Sequence, residues 1–347
     1  MRILYGVQAT GNGHITRARV LLPALQAAGA EVDMLFSGRP AERLFNMEGF
    51  GDYRVCRGLT FVTEAGRVKR WQTLCRNSLW QFGRDLKRLD LSGYDLVLSD
   101  FEPLTAWAAR RQQVPSVGVA HQYAFHYPVP GTGRVPWLKP AISLFAPVDQ
   151  PVGLHWQPFD APILPPMIEP LAAKPEDDGH ILVYLPFESL DEVRYGLLPF
   201  QGRRFRIYCG VVDQPRQEGP LTLLPFSRED FRRDLHRCHG VIANAGFGLC
   251  SEALQAGKKL LIKPLRHQVE QQSNAVVLAQ MGRAEVMHRL DAGRVDPWLQ
   301  APVAPPIYWP DVAGHLARWL VAGRVSSLSE LAEVLWQERV AGKPARV

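Results

Sequence analysis

Short apolar runs alternate with stretches of helical spacing along most of the chain. Arg2–Val7, Glu31–Phe36, Asp95–Ser99 and Ser116–Ala120 are β-rich runs, while Thr16–Ala28, closed by Gly29, repeats its apolar positions with helical period. Strands separated by helices predict a parallel, doubly wound sheet. A second set of strands starts at His180–Leu185 and continues through Phe205–Cys209, Gly240–Ala243 and Lys258–Pro264. From Pro128 to Pro175 the chain is crowded with proline, ending in Pro162-Ile-Leu-Pro-Pro166 and the acidic Pro175-Glu-Asp-Asp178. Such a stretch resists helix and predicts a stiff crossover between domains. The pattern therefore divides the chain into a first α/β domain over residues 1–170, a linker over 171–178, a second α/β domain over 179–320 and a terminal segment over 321–347.

The second domain carries the densest chemistry. Asn244-Ala-Gly-Phe-Gly-Leu-Cys-Ser-Glu252 follows the run Gly240–Ala243 and leads into Ala253-Leu-Gln-Ala-Gly257. A strand ends, a Gly-containing turn bares its backbone N–H groups, a helix begins, and an acidic residue follows one turn in. That arrangement suits a phosphate with a sugar hydroxyl beside it. Lys258–Pro264 reads as the next buried strand, Leu265–Val269 as its exit loop, and Glu270-Gln271-Gln272-Ser-Asn274-Ala275 as the first turn of the following helix. Taken alone, the loop also fits an ordinary strand-turn-helix with Ser251 and Glu252 solvated.

Over Leu221–Gly282 the chain resembles the C-terminal half of GT-B glycosyltransferases, particularly the branch containing the lipid II GlcNAc transferase. Those proteins carry a Gly-rich loop followed by Glu, then an acidic residue or Gln, Gln and Asn-Ala further on. The first half shares only short motifs with them. The resemblance implies two Rossmann-like, doubly wound parallel-sheet domains facing across a cleft, with the terminal helix, Leu328–Val340, crossing back onto the first. It implies that Asn244 faces the phosphate, that Gly246 and Gly248 let the backbone approach the diphosphate, and that Ser251 lies on the donor side. Glu252 would accept from ribose hydroxyls, Glu270 and Gln271 would hold the transferred sugar, and Phe226 falls in the base-binding loop. Leu249 replaces the hydroxyl residue that many relatives carry, so phosphate contacts here must rely more on backbone N–H groups.

Gly11-Asn-Gly13-His14-Ile-Thr-Arg17 follows the first strand directly. In the family a Gly-x-Gly-His turn at this place presents an imidazole to the acceptor hydroxyl, and histidine suits proton abstraction near neutrality. Gly13 is assigned to donor binding and Arg17 to the acceptor side. A dinucleotide fingerprint fails, because Thr16 stands where the third glycine is needed. Asp100 and Glu102 follow the strand Asp95–Ser99 at the carboxyl edge of a parallel sheet, where ligands bind. Asp100 is a candidate to orient His14, and Glu102 a candidate acceptor contact. Ser99 and Glu102 also have capping-box spacing, and both readings stand. His121, in the loop after Ser116–Ala120, is the alternative base.

Composition narrows the classes. At 347 residues and 46% apolar content the chain supports two cores. Its five cysteines are odd in number and lack Cys-x-x-Cys spacing, which speaks against a zinc site or a disulfide framework and for a reducing cytoplasm. Met1–Val7 is too short for a signal sequence, and no segment approaches the roughly 18 apolar residues that span a bilayer. The net charge of +6 is concentrated between Arg67 and Arg88, where Arg67, Lys69, Arg70, Arg76, Arg84, Lys87 and Arg88 interleave with Trp71, Leu74, Leu79, Trp80 and Phe82. A basic amphipathic helix is expected there, as a solvated face, as a peripheral contact with an anionic inner membrane, or as a nucleic-acid contact. No nucleic-acid module accompanies it, so nucleic acid is not an expected partner.

No Asp-x-Asp is present, and the one Glu-x7-Glu pair, Glu330 and Glu338, lies on the terminal helix. The expected activity is an inverting hexosyl or N-acetylhexosaminyl transfer from a nucleotide-diphosphate sugar, preferably a UDP-sugar, to an unidentified, lipid-linked or cell-envelope acceptor. It would need neither metal nor cofactor. A UDP-sugar 2-epimerase or hydrolase of the same fold, and a non-catalytic nucleotide-sugar-binding protein, are the alternatives.

Overall fold

A computed structural model describes residues 1–44, 46–59, 63–64, 67–68, 79–133, 135–171, 173–290 and 292–340. Among them the chain divides into two compact units, one from Met1–Val62, Arg70–Glu169 and Tyr308–Val347, the other from Thr63–Lys69 and Pro170–Ile307.

The chain runs through β1 (Arg2–Gln8), α1 (Asn12–Ala27), β2 (Glu31–Ser37), β3 (Tyr53–Cys56), the hairpin strands β4 (Thr63–Glu64) and β5 (Arg67–Val68), and α2 (Leu79–Arg88). It continues through β6 (Leu96–Asp100), α3 (Pro103–Gln112), β7 (Ser116–Ala120), α4 (Leu138–Phe145) and β8 (Gln150–Gly153). The first unit's sheet has the order β3-β2-β1-β6-β7-β8, with every pairing parallel. Its central strands are covered on both faces, so Ile3, Leu4, Val97, Leu98, Val117 and Val119 are all buried and no polar alternation is needed. At Gly6 a Cβ would overlap the Thr105 side chain, so only glycine lets α3 lie this close to β1.

Two expectations are corrected here. The proline-rich stretch holds α4 and β8. Pro140 falls in the first turn of α4, where its missing N–H has no intrahelical acceptor to lose, and Pro151 lies on β8, an edge strand. The basic helix expected over Arg67–Arg88 begins instead as a strand at Arg67–Val68 and is helical over Leu79–Arg88; residues 69–78 lie outside the described residues.

The second unit contains β9 (His180–Tyr184), α5 (Leu190–Leu197), β10 (Arg204–Tyr208), β11 (Arg216–Glu218), β12 (Leu221–Leu224) and α6 (Arg228–Arg237). After them come β13 (Gly240–Ala243), α7 (Phe247–Gln255), β14 (Lys259–Ile262), α8 (Val269–Gln280), β15 (Glu285–Val286) and α9 (Ala292–Gln300). The sheet order is β11-β12-β10-β9-β13-β14-β15, parallel except for the β11–β12 pairing. Ile181, Val183, Phe205, Ile207, Ile242 and Leu261 form its core with Leu197, Val295 and Trp298. The last helices, α10 (Val312–Val321) and α11 (Leu328–Val340), belong to the first unit, where α10 packs along α1 and Trp336 Nε1 donates to the Ile163 carbonyl at 2.7 Å. None of the described helices is long and apolar enough to cross a membrane.

Both sheets are doubly wound, as the alternation of strands and helices predicts. The winding reverses between β1 and β6 in the first unit and between β9 and β13 in the second. Loops leaving the carboxyl ends of those strands flank a switch point, where open α/β sheets bind ligands.

Candidate functional site

In the first unit β1 ends at Gln8, and Gly11 is the extended N-cap of α1, with no side chain capping the helix. His14 therefore stands in the first turn of α1. β6 ends at Asp100, which lies across the switch point from it. His14 Nδ1 lies 2.6 Å from Asp100 Oδ1, and Arg17, one turn further along α1, grips the same carboxylate with Nε at 2.7 Å and with Nη2. Arg17 Nη2 is also 2.9 Å from His14 Nδ1. Asp100 is fully buried and Arg17 nearly so, whereas the His14 side chain keeps 14% of its surface exposed. Burial alone would raise the Asp100 carboxyl above its ordinary range. The charges and hydrogen bonds of Arg17 and His14 outweigh burial and hold it below that range.

The chain between β6 and α3 is held in an uncommon conformation. Phe101 has φ 52°, a left-handed backbone that costs a bulky residue about 1–3 kcal/mol. Its ring is packed against Phe145 at 4.9 Å and Tyr123 at 5.6 Å, which offsets the strain. The twist lets Asp100 and Glu102 both point into the protein.

Glu102 is the N-cap of α3. Its carboxylate accepts from Leu104 N (2.9 Å), Thr105 N (2.6 Å), Thr105 Oγ1 (2.7 Å) and Ser37 Oγ (2.6 Å), and it is wholly buried. The acceptor role expected of Glu102 is thereby corrected to a structural one. The cap also shifts by one motif: Ser99 Oγ accepts from Glu102 N at 2.9 Å, and Pro103 begins the helix. His121 is corrected in the same way. It is 2% exposed, with Nδ1 at 2.8 Å from the Leu154 carbonyl and its ring beside Phe125, His155 and Trp156, so it belongs to the core and presents no base to a ligand.

In the second unit β13 runs into Asn244, and Gly246 is the extended N-cap of α7, again with no side-chain cap. The first turn of α7 is Phe247, Gly248 and Leu249, so its opening N–H groups are met by no capping side chain. Nothing lies within 4 Å of where a Gly246 Cβ would stand, which leaves the approach to that helix end open. Asn274 of α8 pins the loop from behind by donating to the Ala245 carbonyl at 2.9 Å. Glu252, half-buried, lies one turn further along α7, and Glu270, also half-buried, in the first turn of α8. Phe226 follows β12 and is 47% exposed beside Tyr184 and Gly210, which leaves a ring face for stacking.

One donor-side expectation is corrected. Ser251 is fully buried and its hydroxyl donates back to the Phe247 carbonyl at 2.7 Å. Ser251 thereby shapes the loop. Gln271 is 5% exposed and its Oε1 accepts from Leu265 N at 2.9 Å, closing the exit loop of β14 and fixing the direction of the Gln271 amide nitrogen. Sequence reasoning also passed over Glu188 and Lys263. Glu188, in the loop after β9, pairs with Lys263, in the loop after β14, and its Oε1 accepts from Asn244 Nδ2 at 3.2 Å. No motif marks either residue; only the winding of the sheet brings them together. The buried cysteines take no part, since burial pushes the Cys238 and Cys250 thiols up to about 12.

Two doubly wound, Rossmann-like domains on one chain are the architecture of the GT-B class. Structures with this fold resemble the chain over nearly its whole length. They include SnogD, a glycosyltransferase from Streptomyces nogalater (19% identity, 99% of each chain covered, TM-score 0.54). They also include the glycosyltransferase SsfS6 from Streptomyces sp. SF2575 complexed with thymidine diphosphate (18% identity, 99% of this chain and 97% of that one, TM-score 0.56). LpCGTa in complex with UDP is a third (16% identity, 97% and 98%, TM-score 0.58). The profile of glycosyl transferase family 1 matches residues 1–129 and 156–302; the chain belongs to that family and is a glycosyltransferase. No curated protein sequence matches it.

Proposed function

We propose that the protein transfers a sugar from a nucleotide-diphosphate donor, a UDP-sugar, to an acceptor hydroxyl, with inversion at the anomeric carbon and without a metal ion. The observation that carries this reading is the His14–Asp100–Arg17 cluster. Asp100, kept ionised, accepts the Nδ1 proton of His14 and leaves Nε2 as a proton acceptor on the exposed side of the ring. The acceptor oxygen loses its proton to Nε2 as it bonds to the anomeric carbon, and the bond from that carbon to the diphosphate oxygen breaks. The nucleoside diphosphate departs with the electron pair, and its charge is met by the N-terminus of α7. Asn244 and Gly246 frame that helix end, Gly248 lies in its first turn, Glu252 receives the ribose hydroxyls, Phe226 stacks on the base, and Glu270 holds the transferred sugar.

The acceptor we propose is lipid-linked, in keeping with the resemblance to the lipid II GlcNAc transferase branch. On α2, Leu79 and Trp80 are 73% and 72% exposed beside Arg84, Lys87 and Arg88, a composition suited to an anionic bilayer surface. Thermal shift with UDP, thymidine diphosphate and their sugars tests the donor: a ligand that binds only the folded state raises the melting temperature. Labelled UDP-sugar incubated with bacterial lipid extract tests the reaction. Label recovered as a β-linked glycolipid from an α-linked donor is expected. A 2-epimer or free sugar as the main product overturns transfer in favour of the epimerase or hydrolase.

A further inference from the structure

The switch point of the second unit holds a partly buried ion pair that the transfer chemistry above does not use. Glu188 comes from the loop after β9, Asn244 from the loop after β13 and Lys263 from the loop after β14, so three crossovers converge on one spot. The Glu188 side chain is 5% exposed and that of Lys263 16%. Asn244 Nδ2 donates to the Lys263 carbonyl at 2.9 Å and to Glu188 at 3.2 Å, and Lys263 N donates to the Ala243 carbonyl at 2.8 Å. The lysine backbone is thus fixed next to Asn244, two residues before the N-cap of α7. The orientation of the Asn244 amide is set by these acceptors, because a flipped amide would place its oxygen against a carbonyl and a carboxylate. Its own Oδ1, on a residue 6% exposed, has no hydrogen-bond partner; being an acceptor, it can be met only by a donor such as a ligand hydroxyl, and the anion falls to the Lys263 ammonium.

A carboxylate beside a helix N-terminus competes with any anion that binds there, unless a cation neutralises it. An ammonium carries three donors, and Glu188 occupies one side of the Lys263 head. Resting on the donor reading above, we propose that Lys263 is a resident counter-charge for the donor diphosphate, with Glu188 holding the ammonium in place. The anion then meets a helix end and a lysine, while Glu188 keeps the empty site neutral. This would supply the positive charge that a divalent ion supplies elsewhere, and it explains why a lysine follows an otherwise apolar strand.

Calorimetric titration of UDP and uridine into wild type, Lys263→Gln, Glu188→Gln and the double variant, each checked by circular dichroism and melting temperature, tests the proposal. Lys263→Gln is expected to weaken UDP by roughly ten- to hundredfold, the range for a charge-assisted hydrogen bond, and to leave uridine unchanged. Glu188→Gln, which frees the ammonium, is expected to leave UDP as tight or tighter while lowering the melting temperature. The double variant, with no buried charge left unpaired, should fold and bind UDP like Lys263→Gln. Equal UDP affinity in wild type and a folded Lys263→Gln or double variant overturns the proposal. So does a Glu188→Gln loss as large as that of Lys263→Gln, which marks a purely structural strut. Failure of wild type to bind either UDP or thymidine diphosphate instead removes the donor reading, and the counter-charge with it.

Discussion

The two switch points are built from the same parts in opposite places. In the first unit a helix opening with Gly11-Asn-Gly13-His14 follows the first strand, and a buried carboxylate, Asp100, ends the strand across the switch. In the second unit the carboxylate, Glu188, follows the first strand, and the helix opening with Gly246-Phe-Gly248-Leu249 follows the strand across the switch. Both helices have a glycine N-cap and no side-chain cap. They differ in the first residue of the first turn, Asn12 against Phe247, and in the third, His14 against Leu249. Histidine brings a titratable ring to the carboxylate and makes the first site suited to moving a proton. Leucine brings no polar atom and leaves backbone N–H groups as the donors of that turn, which suits an anion. The His14 side chain is the difference on which the proposed proton transfer rests.

Removing that side chain should have the largest effect. His14→Ala is expected to lower kcat by roughly 10² to 10⁴ fold while UDP affinity stays at the wild-type value, the pattern of a lost general base. Steady-state kinetics beside calorimetry checks this. A fall in UDP affinity equal to the fall in kcat would mean that the first unit's histidine serves the donor, and the comparison between the two helices would collapse.

Arg17→Met tests what holds the histidine's partner. It leaves a buried carboxylate without its main cation and should destabilise the protein by about 3–5 kcal/mol near neutral pH. The pH dependence follows from the direction of the Asp100 shift. Its folded-state pKa is depressed, so its contribution to stability is complete above the ordinary carboxylate value of about 4 and is lost as pH falls through the folded value. The gap in denaturation free energy between wild type and Arg17→Met should therefore be widest near pH 7 and narrow below pH 4. A gap that is constant over this range would place the effect in packing of the arginine stem.

On the donor side, Glu252→Ala should weaken UDP by about 1–3 kcal/mol without unfolding, because it removes a half-buried acceptor proposed for the ribose hydroxyls. Deoxyribose nucleotides sharpen the result. If Glu252 reads the 2′-hydroxyl, the substitution should cost UDP more than 2′-deoxy-UDP. Identical losses for both would leave only the 3′-hydroxyl as its partner.

These sites were legible in the sequence to different depths, for physical reasons. Ser116–Ala120 and Gly240–Ala243 read as strands to the residue, since a strand buried on both faces is a nearly continuous apolar run. The carboxyl-edge loops could be located once the strands were, and so could Asn244, His14 and Asp100. Burial of a polar side chain could not be read. Glu102 and Ser251 lie beside candidate residues but spend their oxygens on the helices that carry them. His121 starts a loop at the ligand edge yet turns into an aromatic cluster with His155 and Trp156. Local spacing gives each of these the same signature as a ligand contact. The Arg17 grip on Asp100 and the Glu188–Lys263 pair depend on which strands become neighbours. That information is held in the winding of each sheet, and no sequence window contains it.

The smallest expected effect concerns the exposed face of α2 in the first unit. α2 is helical over Leu79–Arg88, and Arg84 lies 4.2 Å from the centre of the Trp80 ring. An exposed tryptophan paired with arginine can enter a bilayer interface while the guanidinium stays at the headgroups. Each basic residue near an anionic membrane contributes on the order of 1 kcal/mol, and that share is screened by salt. With three cations on α2 the binding should be weak and reversible. Sedimentation with phosphatidylglycerol vesicles at low salt should carry down a fraction of the protein that falls at high salt and is absent with phosphatidylcholine. Trp80→Ala should reduce that fraction at low salt, and Lys87→Gln with Arg88→Gln should weaken its salt dependence. Equal partition into both kinds of vesicle, or none into either, would make α2 a solvated helix and return the acceptor to the aqueous phase.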